Sequence, residues 1–408
     1  MKSFTARRPA VALGVIFTFL LAACPLIAPA QSRRQQPAPS QQKKNRRDGQ
    51  QPQQGGNQPN QEPLPPDVVG SPQDEVISVR STLVNVDAVV YNKKSRQIIT
   101  GLKRENFAIF EDGVQKEITN FSTPDAPITV ALVLEYSKGL DTYGGDRFEP
   151  GRYEVLKPAA MFLTRFIQPP NDYASVIAFD NRATPLTDFT NDPNRIQSVI
   201  NLLFRSYPSS SEANLFDAMQ FVLMGGRGDA VVLDNTKERT ADYAGLVSVQ
   251  NRRRAMILIT RGIDTFSKIN YGNARKVAQN AGVPIYIIGT GNLFFKKYGD
   301  QLPAEDGLLG SVQPGRMTIL QAQNALKTFA KESGGAYFPV TFDGELPGVL
   351  NSINALLRNQ YSLGYNPGDV RDGKQHKITV RVDVDGDGQF DDKEFIVNAR
   401  QFYNAPKG

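Results

Sequence analysis

Cysteine, histidine and tryptophan are almost missing from this chain: Cys24 and His376 stand alone, and no Trp occurs in 408 residues. A single cysteine excludes a disulfide within the chain, so stability has to come from packed cores or bound ions. The one histidine lies in the strand-like run Lys374-Gln375-His376-Lys377, in no nucleophile motif that suggests Ser-His-Asp catalysis, and Cys-His catalysis has only Cys24 to draw on. Zinc-hydrolase ligand spacing is absent as well. Gly289-Thr290-Gly291 follows a strand, but neither a third glycine nor a phosphate loop comes after it, so nucleotide binding has no support. No basic patch interleaved with aromatics points to nucleic acid. What remains is a binding protein rather than an enzyme.

What is present begins with a leader. Lys2, Arg7 and Arg8 precede an apolar run from Ala10 to Ala23, too short to span a bilayer comfortably. Two processing sites compete. Ala28-Pro29-Ala30 fits signal peptidase, whereas Leu21-Ala22-Ala23-Cys24 fits a lipobox that would place a lipid on Cys24. Residues 1–30 are therefore expected to be a signal peptide, and the protein to be secreted, periplasmic or anchored to the envelope. Membrane contact is expected only through this leader or its lipid. Residues 31–74, rich in Gln, Pro, Asn and Gly, cannot bury enough apolar surface to offset their ordering entropy and read as a disordered linker. The net charge of +6 includes the linker's Arg33, Arg34, Lys43, Lys44, Arg46 and Arg47, so the folded part is closer to neutral.

Order begins near Glu75. The run Val76–Tyr91 alternates as a strand does, and Phe107–Thr119 reads as a hairpin around Asp112-Gly113, giving an N-terminal β module over 75–125. From Pro127 strands and helices alternate. The strands fall at 128–134, 174–179, 255–260, 284–288 and 336–339. The helices fall at 153–166, 194–204, 215–223, 272–281, 319–333 and 346–360. This order predicts an α/β fold over 126–345: an open, mainly parallel sheet with helices on both faces, whose ligands sit at the carboxyl ends of the strands. Residues 346–408 supply a helix and then β segments at 361–365, 376–384 and 394–402. With β-rich pieces at both ends, the α/β region reads as an insertion into one β domain, or the ends form two separate small sheets.

Residues at those strand ends carry a resemblance. Val130-Ala131-Leu132-Val133-Leu134-Glu135-Tyr136-Ser137-Lys138-Gly139, Pro170–Phe179, Asn214–Ala218, Ala255–Asp264, Val283–Gly289 and Ser333–Phe338 resemble, in order and spacing, the von Willebrand factor A domain. The flanking β segments resemble those of the VWFA-related domain family common in acidobacteria. The resemblance implies protein–protein interaction or adhesion at the cell envelope, with a protein (or glycan) partner at the carboxyl edge. In the family, an Asp-x-Ser-x-Ser loop, a Thr and a second-loop Asp hold Mg²⁺ through oxygen donors. Here Glu135, Gly139, Ala213 and Arg261 depart from that set and only Ser137 is kept. The adhesion site therefore reads as degenerate, with Mg²⁺ binding not expected, although Ser210, Ser211 and Glu212 offer oxygens if the loop shifts. Arg261 is expected to pair with Glu135, or to recognise an acidic partner.

A second metal pattern is better formed. Asp383, Asp385, Asp387, Gln389 (through its carbonyl), Asp391 and Glu394 occupy the ligand positions of the twelve-residue EF-hand loop, with Gly388 at its sharp turn. Strand-like flanks predict a Ca²⁺ loop in a β-hairpin, holding two strands in register. The alternative function is a structural envelope protein stabilised by Ca²⁺, without recognition at the degenerate loops.

Overall fold

Period-two alternation places Val84, Val86, Ala88 and Val90 of β1 (Val84–Asn92) on one buried face. β2 (Phe107–Glu111) and β3 (Val114–Lys116) pair across Asp112-Gly113. Both turn residues have positive φ, 49° and 86°, the backbone whose twist suits a two-residue hairpin. β4 (Ile118–Ser122) follows. The structure is a computed structural model that describes residues 83–124, 126–138, 156, 159–160, 167–206, 208–229, 240–249, 252–298, 300 and 315–407. The leader with Cys24, the 31–74 linker, Gly139 and most of the helix expected at 153–166 lie outside the described residues.

At Ile128 the pattern changes. β5 (Ile128–Glu135) is buried at every position, as a strand covered on both faces must be. After it come β6 (Tyr173–Phe179), β7 (Ala183–Thr190), α1 (Pro193–Arg205), α2 (Leu215–Met224), β8 (Gly226–Asp229) and β9 (Thr240–Tyr243). Then follow β10 (Arg253–Thr260), α3 (Tyr271–Ala281), β11 (Ile285–Gly289), α4 (Gly291–Tyr298), α5 (Arg316–Ser333), β12 (Tyr337–Pro339) and α6 (Leu346–Arg358). Six strands form one sheet in the order β12-β11-β10-β5-β6-β7, parallel except for edge strand β7. Alternate residues of β5 serve two cores. Val130, Leu132 and Leu134 pack with Ile196 of α1 and Ile353 of α6, while Ala131 and Val133 pack with Met219 of α2, Ala278 of α3 and Phe329 of α5.

Four elements are additions to the expected series. β7 carries Pro185, which an edge strand tolerates and a central one does not. The pair β8–β9 lies in the stretch between α2 and β10, and α4 opens on Gly291 directly after a strand.

β13 (Tyr361–Tyr365), β14 (Gln375–Val382), β15 (Phe395–Ala399) and β16 (Phe402–Asn404) return to the strands that began the chain. One four-stranded sheet runs β15-β1-β13-β4 and another β16-β14-β2-β3, so each mixes strands from both ends of the sequence. Val86, Ile109, Tyr361 and Val382 share one core. The single strand expected at 394–402 is broken at Arg400, whose buried side chain reaches the Asn85 carbonyl (3.2 Å) and the Gln279 carbonyl of α3. The break sends β15 and β16 to different sheets, and β14, paired with β16 and β2, is likewise apart from β15. Residues 383–394 are a connection between sheets and not the hairpin expected.

His376 lies on β14, stacked on Tyr403 at 5.1 Å between ring centres. Its Nδ1 is 2.7 Å from Asp112 in the hairpin turn, and its Nε2 is 3.2 Å from Asp372. Burial pulls the ring's pKa down, but the hydrogen bonds and charges of the two carboxylates outweigh it and raise the value. Asp112 is held low by the Lys377 N–H and then by the ring; Asp372 is held low by the Lys374 N–H and then by the ring. The imidazolium contributes its full stability below about pH 6.5, the unfolded value, and loses it as pH rises through the raised folded value. The carboxylates contribute above about pH 3.9 and lose that as pH falls through their lowered values. Thermal unfolding of His376→Gln should therefore show a lower melting temperature than wild type near pH 5.5 and little difference near pH 9. An equal difference at both pH values contradicts the charge assignment.

Candidate functional site

Parallel pairing sets Leu134 of β5 beside Ile259 of β10, so Glu135 and Arg261 emerge at the same edge of the sheet. Glu135 is wholly buried and Arg261 is 9% exposed. One carboxylate oxygen of Glu135 accepts from Arg261 Nε (2.8 Å) and Nη2 (2.6 Å). The other accepts from the Thr260 hydroxyl (2.7 Å) and the Arg261 backbone N–H (2.8 Å). The buried Ser137 hydroxyl stands 3.5 Å from Glu135 Oε1 and from Arg261 Nη2. Desolvating either charge alone costs several kcal/mol, and a fully hydrogen-bonded partner offsets this.

The neighbouring loops are laced by side chains that turn their polar atoms inward. Ala213, wholly buried, donates its N–H to the Thr265 hydroxyl (2.9 Å) and accepts the Thr265 N–H at its carbonyl (3.1 Å). Lys138 N–H reaches the Ser210 carbonyl (2.8 Å), and Ser210 N–H reaches Asp180 (3.2 Å). Asp264 accepts from the Phe216 N–H in the first turn of α2 (3.2 Å) and from the Ser267 hydroxyl; burial raises its carboxyl above the usual range despite these bonds. Asp217 accepts from the Lys268 and Ile269 N–H groups. Sequence reasoning passes over Asp180 and Asp217, because nothing in their spacing distinguishes loop-fastening acids from ordinary surface charge. A small divalent cation needs about six hard oxygen donors. The described residues do not fit one at Glu135: one of its oxygens is taken by the Arg261 guanidinium and the other by the Thr260 hydroxyl and the Arg261 N–H, and Ala213 offers no side-chain oxygen.

In the loop from β14 to β15, Asp383, Asp385 and Asp391 bring one carboxylate oxygen each within 4.8 Å of one another. Asp387 and Glu394 do not join that group. Asp383 accepts from the Gly386 (2.7 Å) and Gly388 (2.8 Å) N–H groups, and both glycines take the positive φ (78° and 85°) that this coil requires. Asp387 accepts from Gln389 N–H (2.7 Å) and Asp391 from Val384 N–H (2.7 Å). Asp385 accepts from the Asp387 N–H, which lowers its carboxyl, but burial and the charges of Asp387 and Asp391 raise it overall. Clustered carboxylates of this kind are the hard donors that Ca²⁺ takes.

Removing one member of the Glu135–Arg261 pair strands the other in the interior. Arg261→Met should reduce the free energy of unfolding in urea by about 3–5 kcal/mol. The double variant Glu135→Gln, Arg261→Met should recover most of that loss. Additive losses instead would mean that the two groups are not coupled.

Residues 130–331 match the von Willebrand factor type A domain model. Among solved structures, the chain is similar to an aerotolerance-related membrane protein from Bacteroides fragilis (14% identity, TM-score 0.33, 57% of this chain and 98% of that one). It is also similar to BatB from Bacteroides thetaiotaomicron (15% identity, TM-score 0.35, 57% and 100%). A third is the proximal thread matrix protein 1 of mussel byssus with a zinc-occupied MIDAS motif (13% identity, TM-score 0.37), where the match spans 60% of this chain and 49% of that one. No curated protein sequence matches the chain. With the strand–helix series from β5 to α5 lying under the matched residues, residues 130–331 of this chain are a von Willebrand factor type A domain.

Proposed function

We propose that this chain is an exported envelope protein whose VWA domain binds a protein partner at the carboxyl edge of its sheet, without a metal ion at that edge. The Glu135–Arg261 pair carries the reading: an internal guanidinium fills the role that a divalent cation has in the family, so the adhesion site is degenerate. VWA domains are generally interaction modules, and the reading assigns no catalysis. Further support comes from the surface beside the pair. A groove of about 520 Å³ runs between Phe216, Asp264 and Tyr271 on one side and Gln321 and Asn324 of α5 on the other. Nearby Phe266 is 72% exposed, an aromatic of the kind that anchors protein interfaces. The leader at 1–30 supplies export, with cleavage after Ala30 or lipid on Cys24, and the 31–74 linker gives the domain reach.

Chemical cross-linking in the native envelope tests this, with wild type and Phe266→Asp compared in the presence and absence of added Mg²⁺. Capture should be indifferent to Mg²⁺ and lost with Phe266→Asp. A partner held only when Mg²⁺ is present would falsify the metal-free edge.

The 383–394 connection favours a second property, structural Ca²⁺ binding through Asp383, Asp385 and Asp391, with Asp387, Glu394 and the Gln389 carbonyl closing on the ion. Such an ion would fasten the two four-stranded sheets to each other. Chelation should lower the melting temperature of the wild type. At a free Ca²⁺ level of about a hundred times Kd, the stabilisation lost is about 2.7 kcal/mol. Asp385→Ala, which removes a donor that holds only one backbone N–H, should erase the difference. A chelator without effect on the wild type rules the ion out.

A further inference from the structure

At the opposite end of the VWA sheet from Glu135, a cavity of about 640 Å³ opens between the amino end of β10 and the polar face of the β15-β1-β13-β4 sheet. That size is typical of small-molecule sites. Strand alternation explains its chemistry. Val84 and Val86 of β1 point into the β core, so Asn85 and Asp87 point the other way, joined by Ser362 of β13 and Asn120 of β4. Gly364, opposite Asn85, leaves this face open: a Cβ there would come within 3.1 Å of Asn120.

The facing wall holds three consecutive arginines in different states. Arg253 is buried and spent on backbone carbonyls, including those of Ala126 (3.2 Å) and Leu357 (2.9 Å). Arg252 donates to the Thr129 hydroxyl (2.9 Å) and the Asn171 carbonyl and lies over the Tyr173 ring. Arg254 makes only two long bonds, from one terminal nitrogen to the Leu246 (3.4 Å) and Val247 (3.3 Å) carbonyls. Its Nε and Nη2 have no hydrogen-bond partner among the described residues. Neither Arg252 nor Arg254 forms an ion pair with a described carboxylate, and Asp87 is the one carboxylate lining the cavity. Asp87 is held by the Ser362 hydroxyl at 2.5 Å. Burial raises its carboxyl, while Ser362, Arg254, Arg253 and Arg400 act against the rise.

We propose that this cavity binds a small hydroxylated carboxylate of the uronic-acid kind, with its carboxylate on Arg254 and Arg252 and its hydroxyls on Asp87, Asn85 and Asn120. A guanidinium with two uncommitted nitrogens recognises a planar oxyanion, since it presents donors in a fixed fork. The opposite wall of amide, hydroxyl and carboxyl groups takes hydroxyls. The site is independent of the carboxyl edge, so neither assignment depends on the other.

Isothermal titration of the full chain with D-galacturonate, D-galactose and inorganic phosphate tests it. Galacturonate should bind, with galactose at least tenfold weaker. Arg254→Met should weaken galacturonate at least tenfold. Asn120→Ala, at an exposed position that keeps the fold, should weaken it severalfold and leave phosphate unchanged. Three results overturn the proposal: no galacturonate binding by wild type, equal binding of galactose, or unchanged affinity in both variants. Phosphate binding without galacturonate binding would reduce the site to an inorganic-anion site and would overturn the hydroxylated ligand too.

Discussion

A carboxylate shut away from water must find its counter-charge inside the protein, and at the carboxyl edge of this VWA sheet Glu135 finds it in Arg261. The geometry of the edge follows from that demand. Thr260, the backbone of Arg261 and its guanidinium all point at one side chain, and Ser137 sits within reach of both partners. The neighbouring loops are fastened by hydrogen bonds of their own, Asp180, Asp217 and Asp264 each accepting from backbone N–H groups.

Two other buried guanidiniums solve the same problem differently. Arg253 is surrounded by carbonyls from Pro124 and Ala126, where the chain enters the α/β region, and from Leu357 and Gln360, where it leaves. Gln360 in turn donates to the Tyr286 hydroxyl of β11 (2.7 Å). Arg400 reaches from the β sheets to the end of α3, and burial pulls its pKa down to about 10. Carbonyl groups satisfy the donors without neutralising the charge. Both arginines therefore place positive potential at the base of the VWA sheet.

Much of this architecture is legible in the sequence because periodicity reports burial. The unbroken apolar run at Ile128–Leu134 can only be a strand covered on both faces, and the amphipathic stretches between strands can only be its covering helices. Elements whose pattern is set by an edge or a turn are less visible, as with β7 and its Pro185. The Glu135–Arg261 pair can be anticipated from two residues of opposite charge at neighbouring strand ends. The ligand positions from Asp383 to Glu394 can be read from spacing, but the path of that loop cannot. Its flanks look like the arms of a hairpin, and only long-range pairing of β14 with β2 and of β15 with β1 sends them to separate sheets. The arginines at the base are equally obscure, since three in a row look like solvated charge until the fold turns each toward a different neighbour.

The interleaving of β1–β4 with β13–β16 has a consequence for how the chain is made. β1 lies between β13 and β15, and β2 pairs with β14, so these strands have main partners that lie beyond the whole VWA region in sequence. The VWA region holds its own contacts in the intervening sequence and can condense earlier. Until β13–β16 arrive, β1 is an unpaired strand and the β2–β3 hairpin has an open edge at β2, the kind of surface that draws in other chains. Closing so long a loop is slow for a given stability. Because β13–β16 follow the whole VWA region in the chain, completing the two β sheets falls at the end of folding.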